Sequence, residues 1–288
     1  MRTTQTLKSP SFVFKLAERS FLLYIPMLLA MVFTLFPLFW ALVTAFKRES
    51  DITKLPITYL PSPITAKNFV IAWNNVGFSK YFFNSLFVAV ATVAIVLVCS
   101  ILVGYAISRF RFKGKGVFML LLLCTQFIPG AMLLIPMFEI FRGLHLTSNL
   151  MALVIINSTF QLPFNAILMS GFITNIPEQL EEAAMVDGCS RLRAVFLVIF
   201  PILVPGIVAT MVYTFIGSWN EFLFALMMIS KKTLFTLPVG LRYMQGEFDI
   251  QYGALAAGSV IALLPAAILF AYVQRFLVQG MSAGAVKG

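Results

Sequence analysis

Apolar residues fill six long runs of this chain, and short polar breaks separate them. The runs cover about 20–46, 81–108, 117–138, 149–174, 195–229 and 253–275. In the fourth run Asn157, Gln161 and Asn165 recur every four positions and drift slowly along one face. A helix crosses the hydrocarbon core with about 20 residues, so the expected fold is all-α with six membrane spans. The fifth run, as one helix, would be roughly 50 Å long and must tilt, kink or project from the bilayer. Pro201, Pro205, Gly206 and Gly217 fall inside it, and Pro129-Gly130 and Pro136 fall inside the third run. Kinks are expected there. The segment 47–80 reads as an extended outer loop carrying a short amphipathic helix at 68–73 on the membrane surface.

Composition changes this picture little. The chain has 288 residues, 60% of them hydrophobic and only 11% charged, with 30 Phe; the mean hydropathy is +0.94. That excludes a soluble domain of ordinary composition. The net charge of +10 does not point to nucleic acid, because the basic residues are scattered through short breaks. They read as flanks of membrane spans facing anionic lipid. The concentrated cluster Arg109, Arg111, Lys113 and Lys115 sets the orientation, with both termini in the cytoplasm. Cys99, Cys124 and Cys189 form neither a metal spacing nor a disulfide framework.

The candidate chemistry is sparse. No phosphate-binding Gly-x-x-x-x-Gly-Lys-Ser/Thr loop is present, so the chain itself is not expected to hydrolyse ATP. One histidine, His145, reads as a solvated loop residue, and no catalytic set can be built from it. No carboxylate pair lies mid-membrane, as an ion-coupled carrier would require. The driving energy is therefore expected to enter from outside the chain.

One polar stretch is built to receive it. Pro177-Glu178-Gln179-Leu180-Glu181-Glu182-Ala183-Ala184-Met185-Val186-Asp187-Gly188 reads as a helix of two to three turns. Pro177 suits its first turn, the glutamates sit at the positive end of its dipole, and Gly188 stops it. Leu180, Ala183 and Ala184 share one small-residue face. Glu182-Ala183-Ala184, then Gly188, then Val198-Ile199-Phe200-Pro201 after nine residues, resembles the loop of the permease subunits of ABC importers. The family pattern has Ile and Leu where Val198 and Phe200 stand. Trp219 to Leu226 and Gly280 to Gly288 sharpen the likeness to the second, maltose-type permease of carbohydrate importers, and the resemblance runs over roughly residues 15–288.

The resemblance implies a type I importer permease fold. It divides the chain into a tail 1–19, a transmembrane domain 20–277 with its loop at 177–193, and a tail 278–288. It implies that Glu181, Glu182, Ala183, Ala184, Asp187 and Gly188 dock on an ATPase subunit, with Glu182 pairing to a basic groove residue. Ala283, Gly284 and Ala285 of the tail would reach between two ATPase subunits. The implied partners are a second permease in a heterodimer, two ATPases that hold ATP and magnesium, an extracytoplasmic sugar-binding protein and membrane lipid. No cofactor is implied on this chain. A solvated helix capping two spans is the alternative for the loop.

Gln126, Asn157, Gln161, Asn165 and Tyr213 are the candidates for lining a solute pathway; hydrogen bonding between helices, worth about 1 kcal/mol each, is an equal alternative. Trp73 and Trp219 read as anchors at the membrane interface, and Glu221 as a water-facing residue at the outer rim. The competing functions are a permease for a glycerol phosphate or polyol, and a secondary carrier.

Overall fold

The computed structural model describes the backbone of residues 12–75, 77–245 and 250–285, and the side chains of 21–74, 77–245 and 250–274. Among these residues every element is helical. In chain order they are α1 (Phe12–Ala45), α2 (Glu49–Ile52), α3 (Lys67–Val70), α4 (Phe78–Arg109), α5 (Lys115–Thr125), α6 (Leu134–Gly143), α7 (Leu150–Thr174), α8 (Gln179–Val186), α9 (Arg191–Ala194), α10 (Phe200–Ile202), α11 (Val204–Trp219), α12 (Leu223–Met228), α13 (Leu237–Met244) and α14 (Tyr252–Ala285).

Four stretches are long and apolar enough to cross a bilayer unbroken: Phe21–Ala45, Phe78–Arg109, Leu150–Thr174 and Tyr252–Gln274. The third and fifth expected spans are instead broken. Residues 115–125 and 130–143 meet at 89°, and 191–202 and 204–219 meet at 75°. The third span is two short arms that turn at Pro129-Gly130, where a kink is expected. The expected 50 Å helix ends at Trp219 and is interrupted at Leu203, between Pro201 and Pro205. Both prolines lack the N–H that would continue the ladder, and each ring crowds the carbonyl four residues back. A π-helical turn at Val195–Ile199 precedes the break. Pro26, Pro37, Pro163 and Pro265, each alone in its helix or far from the next proline, leave their helices continuous.

The helices pack around α4, whose most extensive contact is with α7, followed by α11. The α4–α7 approach is close because of Gly104: a Cβ there would lie 2.9 Å from the Ser170 backbone nitrogen. Small residues at crossings let backbones approach where no hydrophobic force separates lipid from protein. One core joins Phe78, Val88, Leu153, Ile156, Phe224, Met228 and Leu237. A second, toward the other end of α4, joins Met169, Ile173, Ile199 and Leu203. At the first end, Asn84 donates to the carbonyls of Thr233 (3.0 Å) and Phe235 (2.9 Å), and Ser85 accepts from the Leu237 amide (2.7 Å). These bonds satisfy backbone groups that the bilayer could not.

α1 stands outside this body and packs against α14. Its apolar side chains from Phe21 to Phe39 are exposed, as lipid-facing residues are. The expected surface helix at 68–73 is instead α3 followed by a π turn, and it is not free on the surface. Asn68 is buried and donates to the carbonyls of Ala45 (2.9 Å) and Lys47 (2.7 Å), while Ala72 packs on Ala45 and Ala257. Trp219 is not an interface anchor. It is buried, stacks on Phe215, and its Nε1 donates to the Ala262 carbonyl at 3.1 Å. Trp73 is half-buried against Phe82 and Phe83.

Candidate functional site

The polar stretch at 177–188 forms α8 with the cap that glycine makes possible. Gly188 has φ +89°, its amide donates to Met185 O (3.1 Å), and the Cys189 amide donates to Ala184 O (3.0 Å). Those two bonds are the Schellman closure, which satisfies the last carbonyls of the helix. The chain then reverses, and the Ser190 hydroxyl accepts from the Arg193 amide at the start of α9.

The two faces of α8 are not divided as the sequence suggests. Leu180 and Ala183 are exposed, whereas Glu181 is buried and Ala184 and Met185 are half-buried. The inward stripe is thus Glu181, Ala184 and Met185, at i, i+3 and i+4. The outward face carries Glu178, Glu182, Ala183, Asp187 and Val186, the last 88% exposed. Leu192, 73% exposed, follows in α9.

Glu181 is held by the end of α4. One carboxylate oxygen pairs with the Arg109 guanidinium, and the other accepts from the Tyr105 hydroxyl at 2.8 Å. Arg109 also donates to the Ile176 carbonyl at 2.9 Å, just before α8. Arg191 sits over the Phe110 ring at 5.4 Å, so the segment after α8 is tied to the same end of α4. Breaking a buried, hydrogen-bonded ion pair on one side costs about 3–5 kcal/mol. The elbow is therefore a lever fixed to α4 and not a loop hanging from its neighbours. Glu181, one of the six residues expected to dock, spends its side chain inside this chain; Glu182, Ala183, Asp187 and Gly188 are the exposed members of that set, with Ala184 half-exposed.

The other place of interest is a cavity of about 640 Å³ walled by α7, α11 and the α12 entrance. Asn157, Gln161 and Tyr213 line it, with Phe160, Gly130, Gly217, Glu221 and Phe224. Its volume lies within the usual range of ligand pockets, about 300–1,000 Å³. Two expected lining residues are elsewhere. Gln126 lies exposed in the bend after α5, where no second helix turns it inward. Asn165, one further turn along α7, is fully buried and donates to Gln161 O at 2.9 Å, serving its own helix. The step of four residues drifts around the helix, so the third member leaves the face of the first two.

Glu221 is not a water-facing rim residue. It is half-buried in the cavity wall, and its two carboxylate oxygens accept from the amides of Phe224 (2.7 Å) and Ala225 (3.0 Å). An acid one residue ahead of the cap position is the expected partner for the first free amides of α12. Phe164 lies 4.5 Å from Tyr213, and Phe160 5.1 Å from Phe224, centroid to centroid. The Gln161 Oε1 is buried against Gly217 and has no hydrogen-bond partner among the described residues. No group of His, Cys, Asp or Glu among the described residues could hold a metal ion. The backbone of α14 continues to Ala285, while the side chains of Ala283, Gly284 and Ala285 lie outside the described residues.

Sequence reasoning found Arg109 only as a charge that sets orientation, and did not find Tyr105. The pair with Glu181 spans 72 residues, beyond any spacing rule. Glu221 did carry a signal, an acid just ahead of a short apolar helix.

Comparison with known proteins gives this arrangement a place. Residues 97–283 match the family model described as binding-protein-dependent transport system inner membrane component. The chain is 36% identical over 254 residues to the sulfoquinovosyl glycerol transport system permease protein of Agrobacterium fabrum, covering 88% of this chain and 89% of that one. It is 36% identical to the inner membrane ABC transporter permease protein YcjP of Escherichia coli, covering 92% and 95%. It is 37% identical to the diacetylchitobiose uptake system permease protein of Streptomyces coelicolor, covering 88% and 92%. A chain of a bacterial ABC transporter that imports the acidic polysaccharide alginate superposes with a TM-score of 0.81 at 21% identity, covering 93% of this chain and 99% of that one. The fold is that of an importer permease, and this chain belongs to the family of binding-protein-dependent transport system inner membrane components, the multi-pass permease subunits of ABC transporters.

Proposed function

We propose that this chain forms one half of a sugar-conducting pathway in an ATP-driven importer, paired with a second permease and moved by two ATPase subunits. The observation that carries the reading is the lever: a short acidic helix whose outward face is exposed and whose inward face is bonded to the most central helix of the fold. The basic cluster Arg109 to Lys115 lies at the same end of α4 as α8, which supports a cytoplasmic position for both. Both termini then share that side.

In this account Glu182 pairs with a basic residue of the ATPase groove and Ala183 allows close approach. ATP and magnesium are held between the ATPase subunits. Their closure pushes α8, and the push enters α4 through Glu181, Tyr105 and Arg109. Because α4 packs on α7 and α11, the helices that wall the cavity move with it. Switching of this kind proceeds by rocking of packed helices, since cores are bistable and not continuously deformable. The tail 280–288 is assigned to contact with the ATPase pair.

The cavity supports a sugar as cargo. It offers carboxamides and a phenol for hydroxyl groups, and phenyl rings for the apolar faces of pyranose rings. A secondary carrier is disfavoured because, among the described residues, Glu221 is the one carboxylate lining the cavity and both its oxygens are engaged by the amides of Phe224 and Ala225. The names of two relatives, a sulfoquinovosyl glycerol permease and a diacetylchitobiose permease, support a sugar-containing cargo in general and do not say which.

The test is reciprocity. Coupling between two sites must run both ways. In the four-subunit complex reconstituted in vesicles, sugar-loaded binding protein is expected to raise ATP hydrolysis about fivefold or more. Hydrolysis that ignores every sugar offered would reject the reading.

A further inference from the structure

Resting on the sugar-pathway reading, we infer that the wall this chain contributes is built for uncharged sugars and turns away carboxylated or sulfonated ones, with Glu221 as the discriminating residue. The argument begins with what the cavity lacks. Its lining holds one carboxylate, two carboxamides and a phenol, and no Lys, Arg or His. The absence extends along the wall, since α7, α11 and α12 carry no charged side chain over their whole length. α4, packed behind them, holds Lys80 and Arg109 only at its two ends. An anionic cargo would find no counter-ion at the depth of the cavity.

The backbone offers none either. The amides of Phe224 and Ala225, at the start of α12, are already taken by the two oxygens of Glu221, at 2.7 and 3.0 Å. The cavity wall thus contains its own carboxylate and, among the described residues, no cation to offset a second one. A second negative charge would be desolvated beside the first, without a partner, in surroundings where charges are poorly screened. Hydroxyl and acetamido groups meet no such penalty. They can exchange hydrogen bonds with the polar lining side chains Asn157, Gln161 and Tyr213 without bringing in a charge.

The experiment reads this wall directly, independent of the sugar-binding protein. Ala209 lines the cavity and is half-buried. In the complete four-subunit complex, with Cys99, Cys124 and Cys189 replaced by serine, Ala209→Cys is labelled with an uncharged maleimide. Labelling is timed with neutral tetrasaccharides of glucose, arabinose or N-acetylglucosamine, and with uronic acid tetrasaccharides at the same concentration. The neutral set is expected to protect the cysteine at concentrations about tenfold lower than the uronic set, since like-charge juxtaposition costs at least that much. Adding Glu221→Gln is expected to narrow that ratio about threefold or more. Equal or better protection by uronates, or a ratio that Glu221→Gln leaves unmoved, would overturn the inference while leaving sugar transport intact. Protection by no sugar of either kind would count against the sugar pathway itself, and the inference would fall with it.

Discussion

Reversing the charge at Arg109 with Arg109→Glu is expected to cut uptake sharply, Glu181→Arg to do the same, and the two together to restore most of it. The pair is 7% exposed on both sides, so either single reversal leaves two like charges buried against each other. The loss expected from breaking such a pair is about 3–5 kcal/mol, enough to detach α8 from α4 in nearly every molecule. Uptake should fall at least about tenfold in each single variant and recover to within about threefold in the double one. Tyr105→Phe removes one hydrogen bond to a charged group, worth about 1.5–3 kcal/mol, and gives a smaller loss. The telling readout is ATP hydrolysis in the assembled complex. A lever that has come loose lets the ATPases turn over without moving sugar, so the ratio of ATP spent to sugar moved rises. If the double variant is as dead as the singles, the pair does not carry the motion. If the singles transport normally, it carries nothing at all.

That lever shows how far the sequence could be read. The all-α membrane fold was legible because nothing but a helix or a closed barrel satisfies backbone groups in lipid, and the apolar runs have the length of helices. The docking helix was legible because its signals are local: acids ahead of the first turn, glycine at the stop. The breaks at Pro129-Gly130 and between Pro201 and Pro205 were legible as places and not as angles. Turns of 89° and 75° depend on what each arm packs against. The inward turn of Glu181 was not legible, because on α8 alone every residue after Gln179 is acidic or apolar and nothing local picks the face that meets the body. Only the arrival of Arg109 and Tyr105, from a helix more than seventy residues away, decides it. Trp219 misled for a related reason. A tryptophan near the end of a span suits the interface by composition, and the carbonyl of Ala262 that buries it belongs to α14.

Replacing Gly188 by valine is expected to separate the ATPase subunits from the permease without unfolding it. The residue is exposed, and a Cβ built on it meets nothing within 4 Å, so crowding is not the cause. The cost is conformational. At φ +89° an L-residue is strained by about 1–2 kcal/mol, more for a β-branched one. The chain relieves the strain by leaving the left-handed region, and the two closing bonds to Met185 and Ala184 go with it. The helix end then frays, and Asp187 and the exposed face of α8 lose their direction. Co-purification of ATPase subunits should fall about fivefold or more, with the permease itself still eluting as a folded species. Gly116→Val is the control. Gly116 also has open space around it but no positive φ, so the same substitution there should leave the complex whole. ATPase subunits that stay bound to the Gly188→Val permease at wild-type levels, with normal uptake, would remove α8 from the docking surface.

Purified permease pair in sealed vesicles, with labelled sugar and binding protein outside, an imposed ion gradient and no ATPase subunits, offers the sharpest trial of a gate that cannot move itself. The expected sugar accumulation is nil, and it begins only when ATPase subunits and ATP are added on the α8 side. Accumulation driven by the gradient alone would contradict the account at its root.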